Sequence, residues 1–145
     1  MWQKSVSIDL NVAPEKVYAY LADFTRHKEW SSNVRRIDLK SGTAGQVGAV
    51  YEAFEAVPRE LTSFARITAL RPPTLIEWES TDYKVFRTNW TFTIEPQGTG
   101  TRLTQSVTFH PLSLPAQVIL YLFRVPVVEK ENRASLERIK ANLEK

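Results

Sequence analysis

The sequence contains no cysteine among its 145 residues. Disulfides, thiolate nucleophiles, iron–sulfur clusters and thiolate zinc sites are therefore excluded within this chain. Its two histidines, His27 and His110, lie far apart without the spacing of metal ligands, and both are predicted to lie at the surface, in a loop or at a strand end. Oxygen ligands alone could still build a metal site, but no residue pattern indicates one. We expect neither a metal nor any other cofactor.

Long apolar runs are also lacking. The longest apolar stretch, Leu112 to Val128, is interrupted by Gln117 and Arg124 and contains two prolines. It is too short and too broken to predict a stable membrane span. The N-terminus lacks the apolar core of a secretory signal. We therefore expect a cytoplasmic protein.

Neither sign of charge dominates the sequence. Nineteen basic residues are interleaved with sixteen acidic ones, which gives a net charge of +3. The densest basic spots are Arg35-Arg36 and the C-terminal segment, where glutamates offset the lysines and arginines. This pattern is typical of a mixed solvated surface, so we expect no specific nucleic-acid binding.

The composition is that of one ordinary globular domain, which we place at residues 1–145. Hydrophobic residues make up 43% and charged residues 24% of the chain, close to the globular average. Alternation from Lys4 to Asn11 predicts a first strand. Pro14 then begins a helix, and Asp23 is the predicted N-cap for a second short helix that ends near Trp30.

The middle of the chain is rich in strand patterns. Turn residues separate them, including Pro58-Arg59 and Tyr83-Lys84. Six or seven strands with short connections indicate an antiparallel meander. The predicted strands lie at Val34 to Lys40, Val47 to Val57, Thr62 to Leu70, Thr74 to Ser80, Phe86 to Ile94 and Leu103 to Phe109.

The last thirty or so residues change to a helical period. Ser113 is the predicted N-cap, and a kink is expected at Pro126 because proline removes one helix hydrogen bond. The apolar positions that predict the long helix are Val118, Tyr121, Leu122, Val125, Val128, Leu136, Ile139 and Leu143.

This order of elements resembles the helix-grip fold of the START-like (SRPBCC) superfamily, and is most similar to its polyketide cyclase/dehydrase branch. The segments that carry the resemblance are Val12 to Asp23 with Trp30, Gly45 to Val50, Pro72-Pro73 before Ile76-Glu77-Trp78, the Gly98 to Thr104 hairpin and Arg133 to Glu144. The resemblance covers nearly the whole chain. It implies an α+β fold in which a curved antiparallel sheet of six to seven strands wraps around a long C-terminal helix, with two short helices after the first strand. It also implies a ligand between sheet and helix.

Alternation then indicates which side chains face that ligand. The predicted binding residues are Tyr51, Trp78, Phe86, Trp90, Phe92, Gln105, Val107, Phe109, Tyr121 and Val125. Such a lining is apolar and aromatic with few polar groups, as in many small-molecule sites. The same side chains could instead fill the space as an ordinary core.

The sequence predicts no catalytic set. In the strand at 47–57 either parity turns a glutamate, Glu52 or Glu55, toward the inner face. A carboxylate there could act as an acid or base. Tyr51, Gln105 and Tyr121 are further candidates, and Arg124 could meet an anionic group or simply lie along the helix edge.

Three functions follow from these patterns. The first is binding of a small hydrophobic ligand such as a lipid, isoprenoid, aromatic or polyketide-like molecule. The second is a cyclase or dehydratase type of enzyme that uses a cavity carboxylate or tyrosine. The third is a quinone- or membrane-associated interaction module built on Leu112 to Val128. The sequence does not indicate the oligomeric state.

Overall fold

Seven strands form one antiparallel sheet in the computed structural model, which describes residues 1–56, 60–82 and 85–145. The strands are β1 (Trp2–Leu10), β2 (Val34–Ser41), β3 (Val50–Ala56), β4 (Glu60–Arg71), β5 (Leu75–Asp82), β6 (Phe86–Gln97) and β7 (Gly100–Pro111). Their order across the sheet is β1-β7-β6-β5-β4-β3-β2. The chain therefore runs as a meander from β2 to β7, and β1 then pairs with β7. The turns predicted at Pro58-Arg59 and Tyr83-Lys84 lie outside the described residues.

Two short helices cross from β1 at one edge of the sheet to β2 at the other. Helix α1 spans Pro14–Ala22, a 3₁₀ turn spans Phe24–Arg26, and α2 spans His27–Trp30. The Asp23 carboxylate accepts a hydrogen bond from the Thr25 backbone N–H at 3.1 Å, which confirms the predicted N-cap.

The C-terminal helix runs unbroken from residue 114 to residue 143 in three parts. These are α3 (Leu114–Ile119), a π-helical turn (Leu120–Arg124) and α4 (Val125–Leu143). The Ser113 hydroxyl accepts from the Ala116 N–H at 3.2 Å, as predicted for its N-cap. Within the π turn the Val125 N–H donates to the Leu120 carbonyl, five residues back. The turn ends two residues before Pro126, where the lack of an N–H prevents the usual helix hydrogen bond.

The concave face of the sheet is the buried one, and its alternation matches the sequence pattern. The inward set on β6 includes Phe86, Phe92 and Ile94, each at most 3% exposed. On β7 the inward positions 103, 105, 107 and 109 are all buried. The predicted helix-grip fold is confirmed.

The first half of the long helix differs from the expectation. Val118, Tyr121 and Leu122 were predicted to face the sheet, but they are 57%, 47% and 63% exposed. Ala116 and Leu120 are buried instead. This segment is apolar on all sides, so its periodicity does not select a face, and the π turn then shifts the helix phase by about one residue.

Candidate functional site

A cavity of about 170 Å³ is lined by residues of both hydrophobic clusters of the core, the second of which consists of Phe86, Val107, Phe109, Ala116, Leu120 and Val128. It lies between the concave sheet face, α2 and the first turns of α4. Its apolar wall includes Trp30, Val34, Trp78, Phe86, Trp90 and Phe109. Small side chains on β3 to β5, such as Ala53, Ala65 and Ser80, leave the space open.

The aromatic wall is held in a fixed arrangement by ring contacts. Trp78 stacks on Trp90 with a centroid distance of 6.0 Å and an angle of 7° between the rings. The edge of Trp78 meets His27 at 5.3 Å, and His27 lies 4.5 Å from Trp30. The Trp90 indole N–H donates to the Thr88 hydroxyl at 3.1 Å, which fixes the ring at the cavity wall. The wall therefore offers flat faces against which a planar molecule can stack.

Unpaired polar atoms are concentrated at this cavity. Among the described residues, five buried side-chain nitrogen and oxygen atoms have no hydrogen-bond partner, and all five belong to residues that line it. They are His27 Nδ1 and Nε2, Trp30 Nε1, Gln105 Oε1 and Asn132 Nδ2. A buried polar group that is left without any partner costs about 1–3 kcal/mol. Native proteins keep few of these groups, so a cluster around one cavity requires an explanation.

His27 corrects the sequence expectation, because it is buried rather than at the surface. Its side chain packs between Phe24, Trp30 and Trp78. Burial lowers the pKa of its imidazole from 6.5 to about 3. The Phe24 carbonyl and the Asp23 carboxylate act in the opposite direction and more weakly, and the carbonyl makes no hydrogen bond of normal geometry with either ring nitrogen. At neutral pH the ring is therefore uncharged, with one donor and one acceptor.

The rim of the cavity is polar and joins the α2–β2 connection to the long helix. Glu131 on α4 accepts two hydrogen bonds from Arg124, at 2.8 and 3.2 Å. The Asn33 amide reaches the same carboxylate at 3.5 Å. The Arg138 guanidinium donates to the Ser32 hydroxyl at 3.2 Å. A ligand that enters here must pass or displace these polar contacts.

Half of the predicted binding residues line the cavity. These are Trp78, Phe86, Trp90, Gln105 and Phe109.

The other five residues lie elsewhere. Tyr51, Phe92 and Val107 are at most 1% exposed and form part of the packed core, where the Tyr51 hydroxyl accepts from the Gly45 N–H at 3.1 Å. Tyr121 is exposed on the π turn, and Val125 packs against the second cluster. None of these five is among the described cavity-lining residues.

The acid–base candidates also divide into residues that line the cavity and residues that do not. Glu55 lies at the cavity, whereas Glu52 on the other strand face pairs with Lys40 at 3.1 Å. Tyr51 and Tyr121 do not line the cavity as described. In the described part of the chain, no group of three or more His, Asp or Glu side chains could hold a metal ion.

Several lining residues were not predicted from the sequence. Trp30, Asn132, Glu131 and Ser135 come from α2 and α4, which pass the cavity at a single turn each. Asn132 could have been recognised from the sequence, because it is a polar residue on the face of α4 that also holds Val128 and Leu136. A buried amide on an apolar helix face needs a partner.

A curved antiparallel sheet that grips a long helix around such a cavity defines a helix-grip protein. Residues 1–144 match the family described as polyketide cyclase / dehydrase and lipid transport, and the chain belongs to this family. The START-like resemblance is thereby confirmed. The sequence matches no curated protein.

Solved structures share the fold at low sequence identity. The Zhui aromatase/cyclase from Streptomyces sp. R1128 superposes with a TM-score of 0.81 at 14% identity, over 99% of this chain and 93% of that one. The protein TTHA0849 from Thermus thermophilus gives 0.80 at 13% identity, over 98% and 97%. Major latex-like protein 151 from Panax ginseng gives 0.77 at 12% identity, over 98% and 97%. These likenesses establish the fold.

Proposed function

We propose that this protein binds a small, largely apolar molecule in the cavity between the sheet and the long helix. The observation that carries the proposal is the cluster of unpaired polar atoms on His27, Trp30, Gln105 and Asn132 around one aromatic cavity. An ordinary core would pair these groups or exclude them. Family membership supports a ligand-binding role without fixing the ligand.

The size of the cavity favours a compact ligand. An engineered apolar cavity of about 150 Å³ holds benzene, so 170 Å³ accommodates about one substituted ring. A long acyl chain needs more room than this. Of the ligands considered from the sequence, an aromatic or small polyketide-like molecule fits better than a lipid or an isoprenoid.

The unpaired groups of these lining residues also indicate which polar groups such a ring should carry. Trp30 Nε1 and Asn132 Nδ2 are donors, Gln105 Oε1 is an acceptor, and the neutral His27 ring offers one of each. These groups suit a neutral ligand with carbonyl and hydroxyl substituents. We infer no anionic ligand, because Arg124, the one lysine or arginine among the described lining residues, is already paired with Glu131.

The first experiment is native mass spectrometry of gently purified protein, followed by organic extraction. We expect a released neutral aromatic compound. Titration with hydroxylated and carbonyl-bearing aromatics should quench tryptophan fluorescence, since Trp30, Trp78 and Trp90 line the cavity. Protein that carries no extractable compound and shows no quenching by any of these probes would overturn the proposal.

Replacing Gln105 by leucine is expected to have opposite effects on stability and binding. The substitution removes an unpaired amide oxygen from an inward position on β7, so the free energy of unfolding should rise by about 1 kcal/mol. Affinity for a ligand that donates to this oxygen should fall about tenfold for the loss of one hydrogen bond. Urea denaturation and fluorescence titration measure the two effects.

The matched control is Gln97→Leu, on the exposed end of β6. It should change neither quantity. A Gln105→Leu protein that binds as tightly as wild type would show that the amide has no part in recognition.

Glu55 supports a second candidate, an enzyme of the cyclase or dehydratase type. Its carboxylate belongs to a lining residue and could remove a proton from a bound carbonyl compound. The test is incubation of the extracted ligand, or of its hydrated precursor, with wild type and with Glu55→Gln. A product formed by wild type and lost in the variant, with binding retained, would establish catalysis. Unchanged compound in both would leave a binding protein.

A further inference from the structure

A large apolar surface lies beside the cavity rim, and the proposed ligand-binding function does not use it. Eight of the twelve large hydrophobic side chains exposed in the described part of the chain fall between residues 112 and 127. We call this surface the apolar cap. It consists of Leu112, Leu114, Val118, Ile119, Tyr121, Leu122, Phe123 and Val127.

The cap is a protrusion rather than a groove. Ala116 and Leu120 anchor its inner side against the second core cluster. At about 100° per residue, the exposed side chains of α3 and the π turn cover roughly 200°, more than half of the helix circumference. A protein groove covers one stripe of a helix, whereas a fluid interface can surround a protruding segment. Contiguous exposed apolar patches on a protein surface commonly mark interaction sites.

Charge favours an anionic partner for the cap. Residues 111–128 contain no acidic residue, and their one arginine, Arg124, is paired with Glu131. The exposed Lys130 lies three residues after Val127 and seven after Phe123, so it projects from the same side of the helix. Arg87 is also exposed. It lies opposite His110 in the β6–β7 pairing, and His110 precedes the first cap residue, Leu112, by two positions. Basic residues beside an apolar helix face are typical of segments that lie in the interface of an anionic bilayer.

We propose that the apolar cap docks this protein on an anionic membrane surface, with the cap in the headgroup region. Within the described residues no helix is both long and apolar enough to span a membrane. Arg124 belongs both to this segment and to the cavity lining, so docking places the cavity rim next to the bilayer. The docking does not depend on ligand binding, and the two can be tested separately.

The experiment is flotation of the full chain with vesicles of phosphatidylcholine alone and of phosphatidylcholine mixed with phosphatidylserine. We expect binding to the mixed vesicles that weakens as salt is added. The double variant Leu122→Gln/Phe123→Gln should lower the partition coefficient at least about tenfold, because both side chains are more than 60% exposed and would enter the lipid. The variant should fold normally and keep its affinity for the cavity ligand.

The matched control is Leu39→Gln/Phe64→Gln, which removes one leucine and one phenylalanine that are 42% and 47% exposed and lie outside the cap. It should float as wild type does. Equal flotation of both double variants, or no flotation of wild type, would overturn the proposal. A wild-type dimer that becomes a monomer in Leu122→Gln/Phe123→Gln, without vesicle binding, would instead assign the cap to a second copy of the chain.

Discussion

Acidification from pH 7 to pH 4.5 is expected to lower the free energy of unfolding by about 2–3 kcal/mol through His27 alone. Burial holds the pKa of the folded-state imidazole at about 3, against 6.5 for an exposed histidine. Between these values the unfolded chain binds a proton that the folded chain does not. The stability is therefore fully present above pH 6.5 and is lost as the pH falls from 6.5 toward 3, at about 1.4 kcal/mol per pH unit.

The pH window separates His27 from the carboxylates. The pKa of Glu129, which accepts from Arg133, and that of Glu144, which accepts from the Asn11 N–H, are lowered below 4.5. Their stabilising contributions are present above pH 4.5 and are lost as the pH falls through their folded-state pKa values. The slope between pH 6.5 and pH 4.5 therefore reports mainly on the buried imidazole.

Urea denaturation across this range measures the slope, with His27→Phe as the test variant. Phenylalanine keeps the ring contacts with Phe24, Trp30 and Trp78 and has no group to protonate, and the cavity alongside can take its extra volume. The variant should show a nearly flat profile, whereas His110→Gln should retain the wild-type slope. Identical slopes in His27→Phe and wild type would mean that the imidazole is not held neutral in the folded protein.

The parts of this structure that depend on local chemistry could be predicted from the sequence. Asp23 and Ser113 cap helices because a short side-chain oxygen before a helix accepts from its first free N–H groups. Alternation along β6 identified its buried face correctly, because a strand places every second side chain on the same side. These signals lie within a few residues, so no tertiary contact is needed to interpret them.

The cavity lining could be predicted only in part. Alternation along a strand shows which side chains lie on the inner face of the sheet, but not which of them border the cavity. Trp90 and Phe92 share the inner face of β6, yet Trp90 lines the cavity and Phe92 lies in the packed core. Which of them borders open space depends on the small residues opposite, such as Ala53 and Ala65 on β3 and β4. That pairing is set by the register of the strands, which the sequence does not show.

His27 and the apolar cap show two further limits. The burial of His27 results from α2 packing beneath the sheet, and one histidine in a short polar helix gives no sign of it. In the cap, apolar residues surround the helix, so a periodicity that selects one face elsewhere selects none here. Helical periodicity predicts the buried face of an amphipathic helix, but it cannot do so for a segment that is apolar on every side.

Replacing Ala65 by phenylalanine is expected to reduce ligand affinity at least about a hundredfold. Ala65 is an inward residue of β4 that lines the cavity, between Tyr51 of β3 and Ser80 of β5 in register. The substitution adds a phenyl ring to a space that holds about one ring. A ligand must then lose its contacts with the cavity wall or force the new side chain out of the cavity. Packing both rings into this space would by itself cost about 1–3 kcal/mol of binding free energy. Fluorescence titration with the extracted ligand measures the loss.

The same substitution should leave the fold intact. Retained stability would show that the loss of affinity results from a blocked cavity and not from misfolding. Filling a cavity commonly raises the free energy of unfolding by about 0.5–2 kcal/mol, so thermal unfolding should occur at the same or a higher temperature. Ala141→Phe, on the exposed face of α4, is the matched control and should bind as wild type does. If Ala65→Phe proves unstable, Ser63→Leu narrows the same cavity from a neighbouring inward position of β4. Wild-type affinity in a stable Ala65→Phe protein would place the ligand outside this cavity, because one space cannot hold both rings.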